Sequence, residues 1–263
     1  MRRLEKSDYS DNFVLKGGLF IYSLTEFDSR VTVDIDFLLK SLPNTPEQLR
    51  AILERIISVD TGNEFITFEI KSVLPISVAK KYAGISASLV AHIKNTRTPF
   101  SIDFGVGDVI VPKQEKRKIP TQLNDFSSPM INTYSLETTI AEKIDAILSL
   151  MEFSSRMKDY YDIYYLANKF DFDGKILVDA LKRTFANREH NFTVEQFEQV
   201  MSFDADDLMQ RKWKAFIKKI DAKTDDFSKV INTIDDFLRF PIETALNGTN
   251  FLMQWKASSN IWE

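Results

Sequence analysis

The sequence predicts an α+β fold, in which an α/β layer with a mixed sheet and helices is followed by a C-terminal helical domain. Short apolar runs with β-branched residues and glycine turns dominate the chain up to about Met130, which is typical of strands. Beyond that point apolar residues recur at helical spacing. A polar cluster near residues 125–134, which begins at Asn124, separates the two parts. We therefore predict two domains, residues 1–129 and residues 130–263.

Strands and helices are both expected in the first domain. Phe13–Lys16 predicts a buried strand that ends at the pair Gly17-Gly18, and an apolar helix follows this turn. Residues 31–39 begin with β-branched side chains and predict a second strand. A capping residue and an early proline open a helix at residues 44–47, which extends to about Ile57. Further strands are predicted at residues 65–70, 86–93 and 100–104.

The second domain is expected to be entirely helical. Ser135 has the character of an N-cap, and an apolar stripe from Leu136 to Leu148 predicts the helix that follows it. Further helices are predicted at residues 157–170, 175–185, 194–201, 205–220 and 227–240. The aromatic tail between Trp255 and Trp262 is expected to dock on the helical domain or on a partner.

Composition restricts the chemistry that the chain can perform. The 263 residues carry a net charge of −4, so any contact with nucleic acid requires a local basic patch. The chain has no cysteine, which excludes disulfides, thiolate zinc sites and cysteine nucleophiles. The two histidines, His92 and His190, are expected to be structural or surface residues, so a metal would be held by carboxylates, which favours Mg²⁺ or Mn²⁺. A polar N-terminus and the lack of a membrane-length apolar run predict a cytoplasmic protein with no membrane contact.

Two aspartates, two positions apart, are the central feature of the first domain. Side chains of a strand alternate between its faces, so Asp34 and Asp36 are predicted to project from one face, with Ile35 in the core. Neighbouring carboxylates repel each other, and a cation between them relieves that repulsion. Such a pair offers Mg²⁺ two hard oxygen ligands, which substrate phosphates complete. The alternative is a solvated strand face with two surface acids.

Two further features favour the metal interpretation. Gly17-Gly18 lies at a predicted strand-to-helix turn, where glycine lets the backbone approach a phosphate, and Lys16 adds a positive charge. Asp103 ends a strand-like run and is predicted to be a third carboxylate, able to accept the proton of an attacking hydroxyl. Taken alone, the glycine pair could be only a turn, and Asp103 only a turn-forming residue before Gly105.

The order of these residues resembles a known signature. Lys16-Gly17-Gly18, followed by Arg30-x-Thr32-x-Asp34-Ile35-Asp36-Phe37, is similar to the nucleotidyltransferase superfamily pattern, most closely that of its AbiEii/AbiGii toxin branch. Thr32 stands where serine is commoner in that branch, and it keeps the hydroxyl. The resemblance implies a nucleotidyltransferase-like fold and transfer of a nucleotide from an NTP to an acceptor hydroxyl, with Mg²⁺ or Mn²⁺ as cofactor. It also implies a cognate antitoxin and a place in a toxin–antitoxin or phage-defence system.

The resemblance extends over residues 10–170 and includes two helical motifs. These are Ala141-Glu142-Lys143-Ile144-x-Ala146 and Arg156-x-Lys158-Asp159-x-x-Asp162. It implies catalytic roles for Asp34, Asp36, Asp103, Lys143 and Asp159, of which the first three hold the metal. It implies nucleotide contacts for Lys16, Gly17, Gly18, Thr32, Lys143, Lys158 and Asp162, so that the helical domain completes the nucleotide site. Without the resemblance, Lys158 and Asp162 could simply pair on a helix surface.

The acceptor is the least specified part of the prediction. Basic residues cluster at 113–118, in a predicted loop, and at 211–219, on a predicted helix whose buried side would contain Trp213. These clusters could bind an RNA acceptor, and in the AbiEii branch the acceptor can be a tRNA end. They could equally be solvated surfaces. Two other interpretations stay open: transfer to a small molecule or to a protein, and a catalytically silent module that binds a partner.

Overall fold

The structure of the chain, a computed structural model, forms two compact units. It describes residues 1–62, 65–76, 84–123, 125–153, 156–222, 226–248 and 250–263, so Asn124 of the predicted boundary cluster lies outside the described residues. Unit 1 consists of Met1–Asp108 and Gln114–Tyr134, and unit 2 consists of Val109–Lys113 and Ser135–Glu263. Unit 1 contains a mixed sheet and unit 2 is rich in helices, which confirms the predicted α+β class.

Unit 1 begins with a short helix and then alternates strands and helices. Its elements are α1 (Arg2–Glu5), β1 (Phe13–Lys16), α2 (Gly17–Leu24), β2 (Ile35–Leu39), α3 (Pro46–Ser58), β3 (Ile66–Pro75), β4 (Ile85–Ile93), β5 (Thr96–Val106), β6 (Glu115–Lys118) and β7 (Met130–Thr133). The strand predicted at Phe13–Lys16 and the helix predicted directly after it are both confirmed. The Thr45 side chain caps α3 by accepting a hydrogen bond from the Gln48 N–H at 3.3 Å.

The sheet of unit 1 has the strand order β3-β4-β5-β2-β1-β7-β6 in the described residues. β1 runs antiparallel to β2 and parallel to β7, and β2 runs parallel to β5. β3, β4 and β5 form an antiparallel meander. The strands β1, β2 and β5, which contain Lys16, Asp36 and Asp103, are therefore neighbours in the middle of the sheet.

Aromatic packing defines one face of these central strands. The rings of Phe13, Phe37 and Phe104 are buried, with centroids 5.7 to 6.3 Å apart in edge-on and stacked arrangements. Such pairs add to the free energy gained by burying the rings. Because side chains alternate along a strand, the neighbours Asp36 and Asp103 project from the opposite face. Packing of the phenylalanines thus determines which face carries the polar residues.

Unit 2 consists mainly of helices. Its elements are α4 (Leu136–Leu150), α5 (Met157–Lys169), β8 (Phe172–Asp173), α6 (Gly174–Asn187), α7 (Val194–Met201), α8 (Asp207–Ile220), α9 (Phe227–Asn247), β9 (Gln254–Lys256) and β10 (Ile261–Trp262). Ser135 caps α4 as predicted, accepting from the Thr138 N–H at 3.1 Å. α9 continues past its predicted end at residue 240, because Pro241 and Ile242 remain on its buried face. Within the described residues, none of the helices is both long and apolar enough to cross a membrane.

Two predictions about strands of unit 1 are wrong. Residues 113–118 were expected in a loop, but Glu115–Lys118 forms the edge strand β6 and pairs with β7. Charged side chains are typical of edge strands, and they hide the apolar alternation by which a strand is recognised. Residues 31–34 were expected in a strand, but β2 begins only at Ile35, where its pairing with Ile102 of β5 begins.

The prediction that the second part is entirely helical is also wrong. β8, β9 and β10 form a small three-stranded sheet, with β9 in the centre. Trp255 on β9 is fully buried and donates its indole N–H to the Ala167 carbonyl oxygen at 2.7 Å. Its ring centroid lies 4.9 Å from that of Phe237 on α9. The aromatic tail therefore docks on the helices of its own unit, one of the two expectations for it.

Candidate active site

A row of polar side chains crosses the middle of the sheet in unit 1. Lys16 on β1 is the register partner of Asp36 on β2. Asp36 is in turn the partner of Asp103 on β5, and Asp103 is the partner of Ser86 on β4. Register partners project from the same face, one strand spacing of ~4.8 Å apart. The sheet therefore brings together two of the three predicted metal ligands, Asp36 and Asp103.

A hydroxyl orients one of these carboxylates. Ser86 Oγ donates a hydrogen bond to Asp103 Oδ1 at 2.6 Å. Asp103 is exposed, whereas Asp36 is half-buried. A short hydrogen bond to a carboxylate limits its rotation. Ser86 was not identified from the sequence, because only the pairing of β4 with β5 reveals its position.

Asp34 does not belong to this row. It lies one residue before β2, exposed, and its N–H donates to Thr32 Oγ1 at 3.2 Å. Strand alternation applies only within a strand and so does not place Asp34, and the common face of Asp34 and Asp36 stays a prediction. Asp34 remains close to Asp36 along the chain, and its role as a ligand stays a prediction.

The glycine pair packs directly against the residues of the predicted signature. Gly17 has a φ of +70°, and a Cβ there would overlap the Asp36 carboxylate, with its Cγ at 2.9 Å. A Cβ on Gly18 would lie 2.9 Å from Thr32 Oγ1. Only glycine fits the first position without strain, because its φ is left-handed and the space is taken. The turn that opens α2 thus lies against Asp36 and Thr32.

Lys16 has partners that the sequence did not indicate. Its Nζ lies 2.6 Å from Asp108 Oδ2 and donates to the Tyr134 hydroxyl at 3.1 Å. The Tyr134 hydroxyl donates a hydrogen bond to Asp108 Oδ2 at 3.3 Å, and Lys16 Nζ lies 4.9 Å from the centroid of the Tyr134 ring. These partners are 92 and 118 positions from Lys16, so no local pattern could connect them.

The two carboxylates of this row suit a magnesium ion that also binds the phosphates of a nucleotide. The described residues contain no group of three carboxylate or imidazole side chains placed to hold a metal ion. Mg²⁺ is usually held by only one or two carboxylates, with phosphate and water oxygens completing its octahedron. Asp36 and Asp103 supply such a pair. Gly17 has no side chain, and its backbone lies against the Asp36 carboxylate.

The predicted residues of unit 2 form a separate buried cluster. Lys143 Nζ on α4 lies 3.0 Å from Asp159 Oδ1 and 2.6 Å from Asp162 Oδ2, both on α5. Arg156 also pairs with Asp159. Lys143 is 8% exposed, and each aspartate is 1% exposed. The alternative of a helix surface is therefore wrong for Asp162, and all three charged residues have the partners that buried charges require.

The cluster shifts two pKa values in opposite directions. Burial disfavours the charged form of Lys143, but attraction to Asp162 and Asp159 outweighs it and raises the pKa of the ammonium. Burial likewise opposes ionisation of Asp159, but Lys143 and Arg156 outweigh it and lower the pKa of that carboxyl. Both groups are therefore charged at neutral pH.

The remaining predicted positions belong neither to the polar row of unit 1 nor to the Lys143 cluster. Lys158 is half-buried in the first turn of α5. The basic helix α8 buries Trp213 as predicted and exposes four cations: Arg211, Lys214, Lys218 and Lys219. The histidines lie beside carboxylates, His92 at 3.3 Å from Glu69 and His190 at 2.7 Å from Asp145.

The comparisons with known proteins concern the family and the fold. Residues 1–239 match the family described as nucleotidyl transferase AbiEii toxin, type IV TA system. That match spans most of the chain and defines it as a nucleotidyltransferase. More particularly, the chain belongs to the AbiEii family of toxins from type IV toxin–antitoxin systems. The segment after residue 239, which contains β9 and β10, lies beyond the matched region.

One solved structure shows a similar fold at low sequence identity. The crystal structure of JHP933 from Helicobacter pylori is 15% identical, covers 94% of this chain and 87% of its own, and has a TM-score of 0.51. A second H. pylori crystal structure, of a candidate nucleotidyltransferase, is 14% identical, with 94% and 90% coverage and a TM-score of 0.47. The fold comparison rests on the first alone. No curated protein matches the chain.

Proposed function

We propose that this chain is a Mg²⁺-dependent nucleotidyltransferase toxin that moves a nucleotide from an NTP to a hydroxyl of an RNA acceptor, with tRNA as the expected acceptor. The observation that carries the proposal is the register pairing of Asp36 with Asp103, beside the turn at Gly17. The acceptor oxygen attacks the α-phosphorus in line. A new P–O bond forms, the bond to the bridging oxygen breaks, and pyrophosphate leaves.

Each residue of the row has a distinct task in this proposal. Asp36 and Asp103 would hold the magnesium ion, and Asp34 would be a further ligand, carried over from the resemblance. When bound, Mg²⁺ neutralises the charge of the phosphates. Asp103 also accepts the proton of the attacking hydroxyl, with Ser86 fixing its other oxygen. Gly17 and Gly18 let the phosphates approach the backbone at the start of α2.

Four residues of α4 and α5 are also part of this proposal, with the nucleotide-binding roles that the resemblance implies. They are Lys143, Lys158, Asp159 and Asp162. The pairing with two buried aspartates fixes the place of the Lys143 ammonium group.

Local basic surfaces support an RNA acceptor. On β6, Lys116 and Lys118 are exposed two positions apart, so they share one face of the edge strand. α8 presents its own exposed row of cations. Clustered lysines and arginines bind phosphates with release of counterions, even when the whole protein is acidic. Membership in a toxin–antitoxin family supports a cognate antitoxin as the protein partner.

The proposal is tested by incubating the full chain with each α-³²P-labelled NTP, Mg²⁺ and total cellular RNA or protein. Asp36→Asn is the inactive variant, because it removes one charge and keeps the shape. Asp125→Asn, at an exposed loop carboxylate, is the matched control. Label in an RNA band with the unchanged protein and the control, but not with Asp36→Asn, supports the proposal.

Other outcomes select among the alternatives. Label in protein or in a small molecule replaces the RNA acceptor and leaves the reaction class intact. If no acceptor is labelled and titration calorimetry detects no binding of Mg²⁺-NTP, the catalytic proposal fails, and a silent partner-binding module replaces it.

A further inference from the structure

We infer that Asp108 and Tyr134 are positioning residues, which hold the Lys16 ammonium group beside the glycine turn for the phosphate chain of the nucleotide. The inference rests on the proposed function, since it adds two residues to the same site. Neither residue belongs to the signature that runs from Lys16 to Phe37, and neither was identified from the sequence.

Direct contacts converge on the lysine. Asp108 provides a charged partner at 2.6 Å, and the Tyr134 hydroxyl accepts a hydrogen bond at 3.1 Å. The hydroxyl and the carboxylate are joined at 3.3 Å, so the three groups form a closed triangle. Tyr134 is 1% exposed, which fixes its ring in the core of the unit. A lysine is flexible, and such a triangle restricts its ammonium to one region.

The location of this triangle links it to the carboxylate row. A Cβ built on Gly105 would lie 3.7 Å from Asp108 Oδ2 and 4.0 Å from Lys16 Nζ. Gly105 stands two residues after Asp103 on β5, and hence on the same face as the row. The ion pair therefore lies over Gly105, on the strand that carries Asp103.

Competition between carboxylates explains why the lysine needs to be held. Lys16 is the register partner of Asp36, one strand away. Asp108 provides a second carboxylate that attracts the ammonium group, in competition with Asp36. Without Asp108, Asp36 would attract the ammonium group more strongly, and less of its charge would act on the phosphates.

A double-mutant cycle tests the inference on the full chain. The variants are Asp108→Asn, Lys16→Met and the pair together, and the probe is inorganic tripolyphosphate with Mg²⁺ in titration calorimetry. We expect Asp108→Asn to weaken binding about tenfold when Lys16 is present and less than about twofold when Met replaces it. In the transfer reaction, the same substitution should raise KM for the NTP more than it lowers kcat. A merely structural role would not depend on the residue at position 16.

Tyr134→Phe gives a second, milder test. It retains the buried ring and removes only the hydroxyl, so we expect a loss of about threefold in tripolyphosphate binding. It also serves if Asp108→Asn fails to fold. Two controls disrupt comparable contacts elsewhere in unit 1: Glu69→Gln, which breaks a pair with Lys71 at 2.5 Å, and Tyr9→Phe, which removes a hydroxyl 2.7 Å from Arg55.

The outcomes separate this inference from the proposed function. Equal losses from Asp108→Asn in both backgrounds, or tighter binding, overturn the positioning role while leaving the enzyme intact. If the unchanged protein binds neither tripolyphosphate nor any of the four NTPs, the proposed function fails, and the positioning role fails with it.

Discussion

The two groups of aspartates in this chain are built in opposite ways. In unit 1, Asp36 and Asp103 bring like charges side by side on neighbouring strands. In unit 2, Asp159 and Asp162 each lie within hydrogen-bond distance of Lys143 and are almost fully buried. Adjacent like charges oppose folding until a cation joins them, whereas a buried neutralised cluster stabilises the fold as long as it stays complete. Substitutions in the first group should therefore affect ligand binding, and substitutions in the second should affect stability.

The largest effect is expected from breaking the buried cluster. Lys143→Met leaves two buried carboxylates without their shared partner, and we expect the free energy of unfolding to fall by about 3–5 kcal/mol. Urea denaturation measures it. Asp179→Asn, which removes the partner of Arg183 in an exposed pair at 2.9 Å, is the matched control and should change stability by less than about 1 kcal/mol. A Lys143→Met variant as stable as the unchanged protein would show that this cluster does not hold unit 2 together.

The complementary change in unit 1 should spare the fold and abolish activity. Asp36→Asn removes one of two repelling charges, so we expect the free energy of unfolding to change by less than about 0.5 kcal/mol. Nucleotide transfer should fall by two to three orders of magnitude, as is usual when a preorganised charge at the reacting phosphates is lost. The comparison between the two units is contradicted if this variant loses stability in proportion to its activity.

The glycine turn allows a sharper distinction between backbone strain and site geometry. Gly17→Ala introduces a left-handed alanine that overlaps Asp36, whereas Gly62→Ala introduces the same strain, at a φ of +68°, where nothing lies within 4 Å. Both variants should lose about 1 kcal/mol of stability. Only Gly17→Ala should lose activity, because it displaces a proposed metal ligand. Equal activities of the two variants would mean that the contact with Asp36 is unimportant.

The smallest expected effect is a pH dependence of stability that comes from the buried cluster. Because the pKa of Asp159 is lowered by folding, its contribution is present above its ordinary pKa of 3.8 and is lost as the pH falls through the lower folded value. Because the pKa of Lys143 is raised, its contribution is full below 10.5 and is lost as the pH rises through the higher folded value. Urea midpoints should therefore be flat near neutrality and should fall at both extremes.

Asp159→Asn separates this contribution from those of other carboxylates. The variant should be less stable than the unchanged protein at pH 7, and the difference should shrink as the pH falls below 3.8. Asp171→Asn, at an exposed carboxylate whose pKa is lowered chiefly by the Ala257 N–H, is a surface control. A difference that stays constant from pH 7 to pH 2 would contradict the assignment.

Elements with local signals could be predicted from the sequence. The strand at Phe13–Lys16, the helix after it and the cap at Ser135 follow from short-range patterns, and the structure confirms them. β6 and β9 carry weaker local signals, because they are short and depend on pairing with β7 and β8. The start of β2 likewise depends on where β5 begins to pair with it.

The same distinction applies to the candidate site. Asp36 and Gly17 are close in the chain and share an ordered pattern, so the sequence could propose them together, and the structure places them in contact. Asp103 could be proposed from its place at the end of a strand, but its pairing with Asp36 required the sheet. Asp108 and Tyr134 lie far from Lys16 in the chain, and only the folded sheet brings them to it.

The distribution of the tryptophans has a practical consequence for measuring how this protein unfolds. All three tryptophans of the chain, Trp213, Trp255 and Trp262, belong to unit 2. Indole fluorescence is therefore a signal from the helical unit alone, whereas far-UV circular dichroism records both units. Where the two transitions coincide, the units unfold as one cooperative system, and where they separate, each unit has a stability of its own.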